Sequence, residues 1–290
     1  MSPTCCGIVT YNPKLSRLKE NIEAISPQVS KIFIYDNGSD NVSDIVNIFQ
    51  KQNCTVINSG TNSGMAIALN RLAEQAINNG FLYIIFLDQD SVAQPNMVNE
   101  LSILMKDDIG ITCPAIIDRN SPDKRDENPF LADVTHTITS GSLVNLAAYK
   151  KVGGYDERLF IDWVDLDYCH NLRLHGYKIL RTKSAQLLHE IGKKEFVMAL
   201  PRKCSDGKWH LRKYYRTNHS LLRQEDKARS QTIIAHKYKN TPIEKEVMKP
   251  ITETNFSDFV LEKHRFQLAK AKYQGRKQGI KELKKHPKPL

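Results

Sequence analysis

The apolar positions of this chain fall into short compact runs separated by stretches with helical spacing. Residues 5–11 form the first run and stop at Asn12-Pro13. Leu15, Leu18, Ile22 and Ile25 then recur every three or four residues up to Pro27, which predicts an amphipathic helix. Residues 31–35 form a second run, ended by the turn cluster Asp36-Asn37-Gly38-Ser39-Asp40. Val42, Ile45, Val46 and Phe49 mark a second helix, and residues 54–57 a third strand. The loop 58–64 leads to a helix carrying Met65, Leu69, Leu72, Ala73 and Ala76. Residues 81–87 are rich in aromatic and β-branched side chains and read as a buried strand. Strands alternating with helices predict an α/β fold with a Rossmann-like, mostly parallel sheet and right-handed crossovers.

Beyond residue 90 the pattern is less regular. Pro95 opens a helix through Met105, and residues 109–114 form a strand that 115–117 extend. Residues 118–133 read as a long polar loop, either a lid or a disordered insertion. Residues 135–144 look like a strand, a tight turn and a strand. Leu166, Cys169 and Leu172 give one apolar helical face, so Asp162 or Asp165 falls in the first turn of that helix. Residues 176–180 and 185–189 read as two further strands.

The polar residues at the strand ends carry the chemistry. Asp88 and Asp90 follow a buried strand at its carboxyl end, where open α/β sheets bind ligands. Hard divalent cations such as Mg²⁺ or Mn²⁺ take carboxylate and phosphate oxygens, so this pair is either a metal–diphosphate site or a polar turn after a strand. Thr10-Tyr11-Asn12, Asp36-Asn37 and Asn62-Ser63-Gly64 end the neighbouring strands or open their loops. In a parallel sheet they converge on the same edge and make a nucleotide site, with Asp36 free to accept from a base N–H. No Gly-x-Gly-x-x-Gly follows the first strand and no Walker A loop is present. Asp162, Asp165 and Asp167 either cap their helix or place a general base at a cleft. His189 ends a strand as a metal ligand, a diphosphate contact or a structural group.

Composition adds a charge asymmetry. Residues 193–290 hold 25 Lys/Arg and 10 Asp/Glu, a net +15, and the remaining 17 and 22 give residues 1–192 a net −5, which together make the chain's +10. An acidic body with a basic tail suggests an anionic partner for the tail. No apolar run approaches the ~20 residues that span a bilayer, and the N-terminus does not read as a signal peptide. The six cysteines have no metal-type spacing and are expected to be reduced packing residues of a cytosolic protein.

The ordered set of motifs resembles the family-two glycosyltransferases with the GT-A fold, most nearly the rhamnosyltransferase branch. The carrying residues are Val9-Thr10-Tyr11-Asn12, Asp36-Asn37-Gly38-Ser39, residues 62–70, Asp88-Gln89-Asp90-Ser91, Ser140-Gly141-Ser142 and residues 160–167. The resemblance covers about residues 4–220. It implies that Thr10, Tyr11 and Asn12 line the base and sugar pocket, that Asp36 accepts the pyrimidine N3–H, and that Asn62, Ala66, Asp88 and Gln89 also contact the nucleotide sugar. It makes Asp90 the direct ligand of Mn²⁺ or Mg²⁺, with Asp88 and His189 beside it, and Asp165 the catalytic base of an inverting displacement. Trp163 and Asp162 would meet the acceptor. The family often has Glu-Asp where this chain has Val164-Asp165, and an Arg where it has Asn171. The implied donor is dTDP-L-rhamnose, with a UDP-sugar as the alternative. The implied acceptor is a glycan or lipid-linked glycan of cell-surface polysaccharide synthesis.

Residues 1–205 are therefore expected to form the catalytic domain and 206–290 a basic helical extension. Residues 208–223, and more weakly 256–283, combine apolar anchors with Lys and Arg. Such helices lie on an anionic membrane, here the inner face of the plasma membrane, or serve as an oligomer contact. A nucleotidyltransferase would need a Gly-rich basic loop after the first strand, and residues 10–13 match it poorly. A nucleic-acid-binding role for the tail finds no stacking motif or module.

Overall fold

The computed structural model describes residues 4–120, 129–190, 195–203, 207–216, 219–261 and 264–285. The chain divides into two compact units, Met1–Ile191 and Gly192–Leu290. The boundary falls ahead of the one expected at residue 205.

The first unit opens with the anticipated alternation: β1 (Thr4–Thr10), α1 (Leu15–Ile25), β2 (Lys31–Asp36), α2 (Val42–Phe49), β3 (Cys54–Asn58), α3 (Met65–Asn78) and β4 (Tyr83–Asp88). These four strands are parallel, in the order β3-β2-β1-β4. Their runs lack polar alternation because helices cover both faces. Cys5 and Cys6 point to opposite faces and both are buried. On one side Cys6, Ile8, Ile34, Ile85 and Leu87 pack with Leu18 and Ile25 of α1.

The rest of the unit adds β5 (Val92–Ala93), α4 (Met97–Ile103), β6 (Ile109–Asp118), β7 (Leu131–Asp133), β8 (Leu143–Asn145), α5 (Leu146–Val152), α6 (Val164–Leu174) and β9 (Lys178–His189). The sheet continues β4-β8-β6-β9-β5, with β7 also on β9. β8 runs antiparallel to β4 and β6, so the sheet is mixed beyond β4.

Three expectations change here. Residues 135–139 are not a strand, and only 143–145 pair. Residues 178–189 are one strand, because β6 pairs along its whole length across an irregularity between Pro114 and Ala115. The loop expected at 118–133 contains β7, and residues 121–128 lie outside the described residues.

The second unit holds β10 (Glu195–Lys203), β11 (Trp209–Arg216), α7 (Leu221–Lys237), α8 (Glu244–Leu261) and α9 (Arg265–Lys285). β10 and β11 form an antiparallel pair. The extension is therefore not wholly helical: Trp209–Arg216, expected as an amphipathic helix, is a strand. The five described cysteines are buried and free, and Cys204 lies outside the described residues. No described helix is long and apolar enough to cross a membrane.

Candidate active site

The carboxyl ends of β1, β2 and β4 open on a cleft of about 350 Å³. Tyr11, Asn62, Asp88, Gln89 and Asp90 line it, together with Asn37. Gln89 ties the two central strand ends together. Its Oε1 accepts from the Tyr11 N–H at 2.9 Å and its Nε2 donates to the Tyr11 carbonyl at 3.4 Å. Phe160 and Ile161 form an apolar rim, each about two-fifths exposed. That rim is fixed to α3: the Met65 N–H donates to the Phe160 carbonyl at 2.5 Å. Gly64, at φ +89°, lets the loop come this close, since a Cβ there would stand 2.6 Å from Phe160 Cδ2.

Four residues expected in the cleft do not line it. Asp36 is fully buried. Its Oδ1 accepts from Thr10 Oγ1 at 3.0 Å and Ser39 Oγ at 2.5 Å, and its Oδ2 from the N–H groups of Gly38 and Ser39 at 3.2 and 2.9 Å. Four donors saturate a carboxylate, so Asp36 braces the loop and does not stand free for a base. Thr10 is buried as its partner. Asn12 staples the same loop, accepting from the Asp40 N–H at 2.8 Å. Ala66 is buried within α3, and Gly64 and Met65 take its place on the wall. The adjacent Asn37 reaches the cleft wall, although it too is buried and bonded, accepting from the Ser63 N–H at 2.8 Å and donating to Asn62 Oδ1 at 3.0 Å.

The Asp88–Asp90 segment has a polar backing. The Asp88 N–H donates to Ser140 Oγ at 2.9 Å. Ser140 Oγ and Ser91 Oγ are 2.8 Å apart, and Ser91 Oγ lies 2.9 Å from His189 Nδ1. The same nitrogen is 3.9 Å from Asp88 Oδ2. Ser91 and Ser140 are buried, while the Asp88 side chain keeps 42% of its area open to the cleft. Desolvation by the cleft walls raises the Asp88 carboxyl above its ordinary value, the neighbouring His189 lowers it, and the charges of Asp90 and Asp165 raise it further. Among the described residues no three His, Cys, Asp or Glu side chains gather closely enough to hold an ion by themselves. Two carboxylates beside a histidine still fit a cation whose remaining ligands are diphosphate oxygens and water.

Asp165 sits in the first turn of α6, where its Oδ1 accepts from the Leu166 N–H at 2.8 Å. Burial pushes its carboxyl up, the backbone hydrogen bonds at Leu166 and Asp165 oppose the rise, and nearby Asp162 adds to it. Asp165 lines a small recess with Thr137, Thr139 and Ser142 rather than the main cleft. Stacked aromatics connect the two regions. Phe86 of β4 meets Tyr155 edge-on at 6.0 Å, and Tyr155 meets Tyr168 of α6 at 4.3 Å between centroids. Asn70 of α3 fastens this arm. Its Oδ1 accepts from Tyr149 OH and the Tyr155 N–H at 2.8 and 2.9 Å, and its Nδ2 donates to the Tyr155 carbonyl and Glu157 at 3.0 and 3.1 Å.

Trp163, expected as an acceptor platform, is 7% exposed. It precedes α6 in the left-handed region at φ +77° and belongs to the core. Asp162 is half-buried beside it. Asn171 is buried and donates to the Val152 carbonyl at 2.8 Å, so it ties α6 to α5.

The model of glycosyl transferase family 2 matches residues 5–171. The chain belongs to glycosyl transferase family 2. It is 28% identical over 242 residues to a dTDP-rhamnosyl transferase, RfbF, of Shigella flexneri, covering 74% of this chain and 77% of that protein. Among solved structures it is similar to S. aureus TarS 1–349 in complex with UDP, with a TM-score of 0.60 and 15% identity over 90% of this chain and 72% of that one. It is also similar to GalNAc-T7 with UDP, GalNAc and Mn²⁺, with a TM-score of 0.55 and 14% identity over 66% of this chain and 44% of that one. The fold is that of the GT-A glycosyltransferases, and the family member transfers sugars.

Proposed function

We propose that this family member is an inverting, metal-dependent transferase. It moves L-rhamnose from dTDP-L-rhamnose to a hydroxyl of a glycan or lipid-linked glycan, at the cytoplasmic face of a membrane. The observation that carries the proposal is the position of Asp88 and Asp90 on the wall of the cleft at the strand ends. Similarity to a dTDP-rhamnosyl transferase supports the donor.

In this scheme Tyr11, Asn37 and Asn62 border the nucleoside, and Phe160 and Ile161 cover it. Asp88, Asp90 and His189 would hold Mn²⁺ or Mg²⁺, which would neutralise charge on the diphosphate. Asp165 takes the proton of the acceptor hydroxyl. The acceptor oxygen bonds to the anomeric carbon from the face opposite the diphosphate, and the bond from that carbon to the phosphate oxygen breaks. The raised affinity of Asp165 for a proton suits it to this step.

Melting temperature measured against dTDP, dTDP-rhamnose, UDP and UDP-sugars, each with and without Mn²⁺ or Mg²⁺, tests the donor. A ligand that binds the folded state raises it by mass action. The expected result is a metal-dependent rise, larger for the dTDP compounds. A preference for UDP would discard rhamnose, and no rise with any nucleotide would reject the transferase site. The anomeric configuration of the product, read by NMR, tests inversion.

A further inference from the structure

Helix α9 has two unlike faces. Leu268, Ala271, Gly275 and Gly279 are buried. A Cβ at Gly275 would run into the Glu225 carbonyl, and one at Gly279 would stand 2.8 Å from the Arg229 carbonyl and from Thr232 Cβ. The two glycines, four residues apart, thus let α9 lie directly on the backbone of α7.

The opposite face carries Phe266, Tyr273 and Ile280, which are 93%, 69% and 51% exposed. Residues seven apart on a helix drift by only ~20°, so these three form one stripe. Exposed Lys270, Lys277 and Lys284 repeat at the same interval beside it, with Lys281 and Arg276 on its flanks. Glu282, the sole acidic residue between 265 and 285, projects toward the opposite side.

We propose that this outward face of α9 docks on an anionic lipid surface. Large apolar side chains left in water, interleaved with lysines and free of acids, match the interface of a charged bilayer. There the rings and the isoleucine enter the acyl boundary while the lysine stems lie along it and carry their ammonium groups to the phosphates. A protein partner would be met more economically by a face with mixed charges. Docking through α9 goes beyond the transferase proposal and stands whichever sugar nucleotide is the donor. It also moves the lipid contact away from the segment at Trp209–Arg216, which is a strand.

The test is co-sedimentation of the full chain with vesicles of phosphatidylcholine, alone or mixed with phosphatidylglycerol. Binding is expected only to the anionic vesicles and should weaken as salt is raised. The triple variant Phe266→Ser/Tyr273→Ser/Ile280→Ser should bind at least about tenfold more weakly, and Lys277→Gln by roughly fivefold. Both should keep the wild-type melting temperature, because every altered side chain is exposed. Trp209→Ser/Leu211→Ser, on the exposed strand β11, should bind as wild type. Undiminished sedimentation of the triple variant overturns the proposal. So does a triple variant that changes only the oligomeric state in light scattering, or only binding to single-stranded DNA.

Discussion

Ser91 Oγ and His189 Nδ1 are 2.9 Å apart, and the serine is completely buried. A neutral imidazole that offers Nε2 to a cation carries its proton on Nδ1, and Ser91 Oγ stands where it accepts that proton. The contact is continued by Ser140, which also receives the Asp88 N–H. The orientation of His189 and the backbone at Asp88 are thereby set by one pair of hydroxyls.

Removing the Ser91 hydroxyl should loosen His189 without touching the nucleoside wall. Partners behind a metal-binding histidine are worth about 10- to 100-fold in metal affinity. Ser91→Ala is therefore expected to weaken Mn²⁺ binding in the presence of dTDP by at least about tenfold, as read by calorimetry. Metal-free dTDP binding should be unchanged. Equal Mn²⁺ affinity in the variant would leave the serine pair as packing.

Asp165→Asn should lower transfer by about 10²- to 10⁴-fold, the usual worth of a general base, while dTDP still raises the melting temperature. The raised carboxyl also fixes the sign of two pH effects. Activity should fall on the acid side at a pH above the ordinary aspartate value, because the base must be ionised. Stability runs the other way. A group whose folded pKa lies above its unfolded one favours folding below the unfolded value, and that contribution is lost as pH rises through the folded value. Asp165→Asn should therefore melt higher than wild type at pH 7, with the gain gone in acid. A lower melting temperature at pH 7 would mark Asp165 as a structural cap.

Asn70 makes four hydrogen bonds, and three go to a loop 85 to 87 residues away in sequence. Asn70→Ala strands the Tyr149 hydroxyl and the Tyr155 N–H in a buried setting, at about 1–3 kcal/mol for each unmet group. The variant is expected to lose that stability in urea unfolding. It should also transfer more slowly, because the freed loop carries Phe160 and leads to Asp165. Wild-type activity with reduced stability would separate the loop from the chemistry.

The alternation of β1 through β4 was legible because β1, β2 and β4 are buried on both faces and each helix has one apolar stripe, so period and run length suffice. Asp88, Asp90, Gln89, Tyr11 and Asn62 followed from it, since a parallel sheet brings its carboxyl ends together. The choice between Asp36 and Asn37 was not legible. Adjacent residues in a turn point in different directions, and only the turn's own hydrogen bonds decide which one faces the cleft. Trp209–Arg216 misled for a different reason. Its strand depends on antiparallel pairing with the preceding segment Glu195–Lys203, which its own side-chain pattern does not announce. Gly275 and Gly279, by contrast, lower helix propensity and make sense only against the backbone of α7.

Trp163 separates packing from acceptor binding. The indole is buried, and truncating a core tryptophan to alanine costs about 3–5 kcal/mol. Its backbone at φ +77° disfavours any residue with a Cβ by roughly 1–2 kcal/mol, which glycine escapes. Trp163→Gly should therefore be no less stable than Trp163→Ala, the reverse of the usual order in which glycine is worse. Trp163→Phe keeps most of the buried area and should leave the KM for the acceptor unchanged. Denaturation of the three variants reads the first relation, and acceptor kinetics of the phenylalanine variant reads the second. If Trp163→Phe raised the acceptor KM severalfold at wild-type stability, the indole would have to leave the core during turnover, and the strained backbone before α6 would be the hinge that lets it.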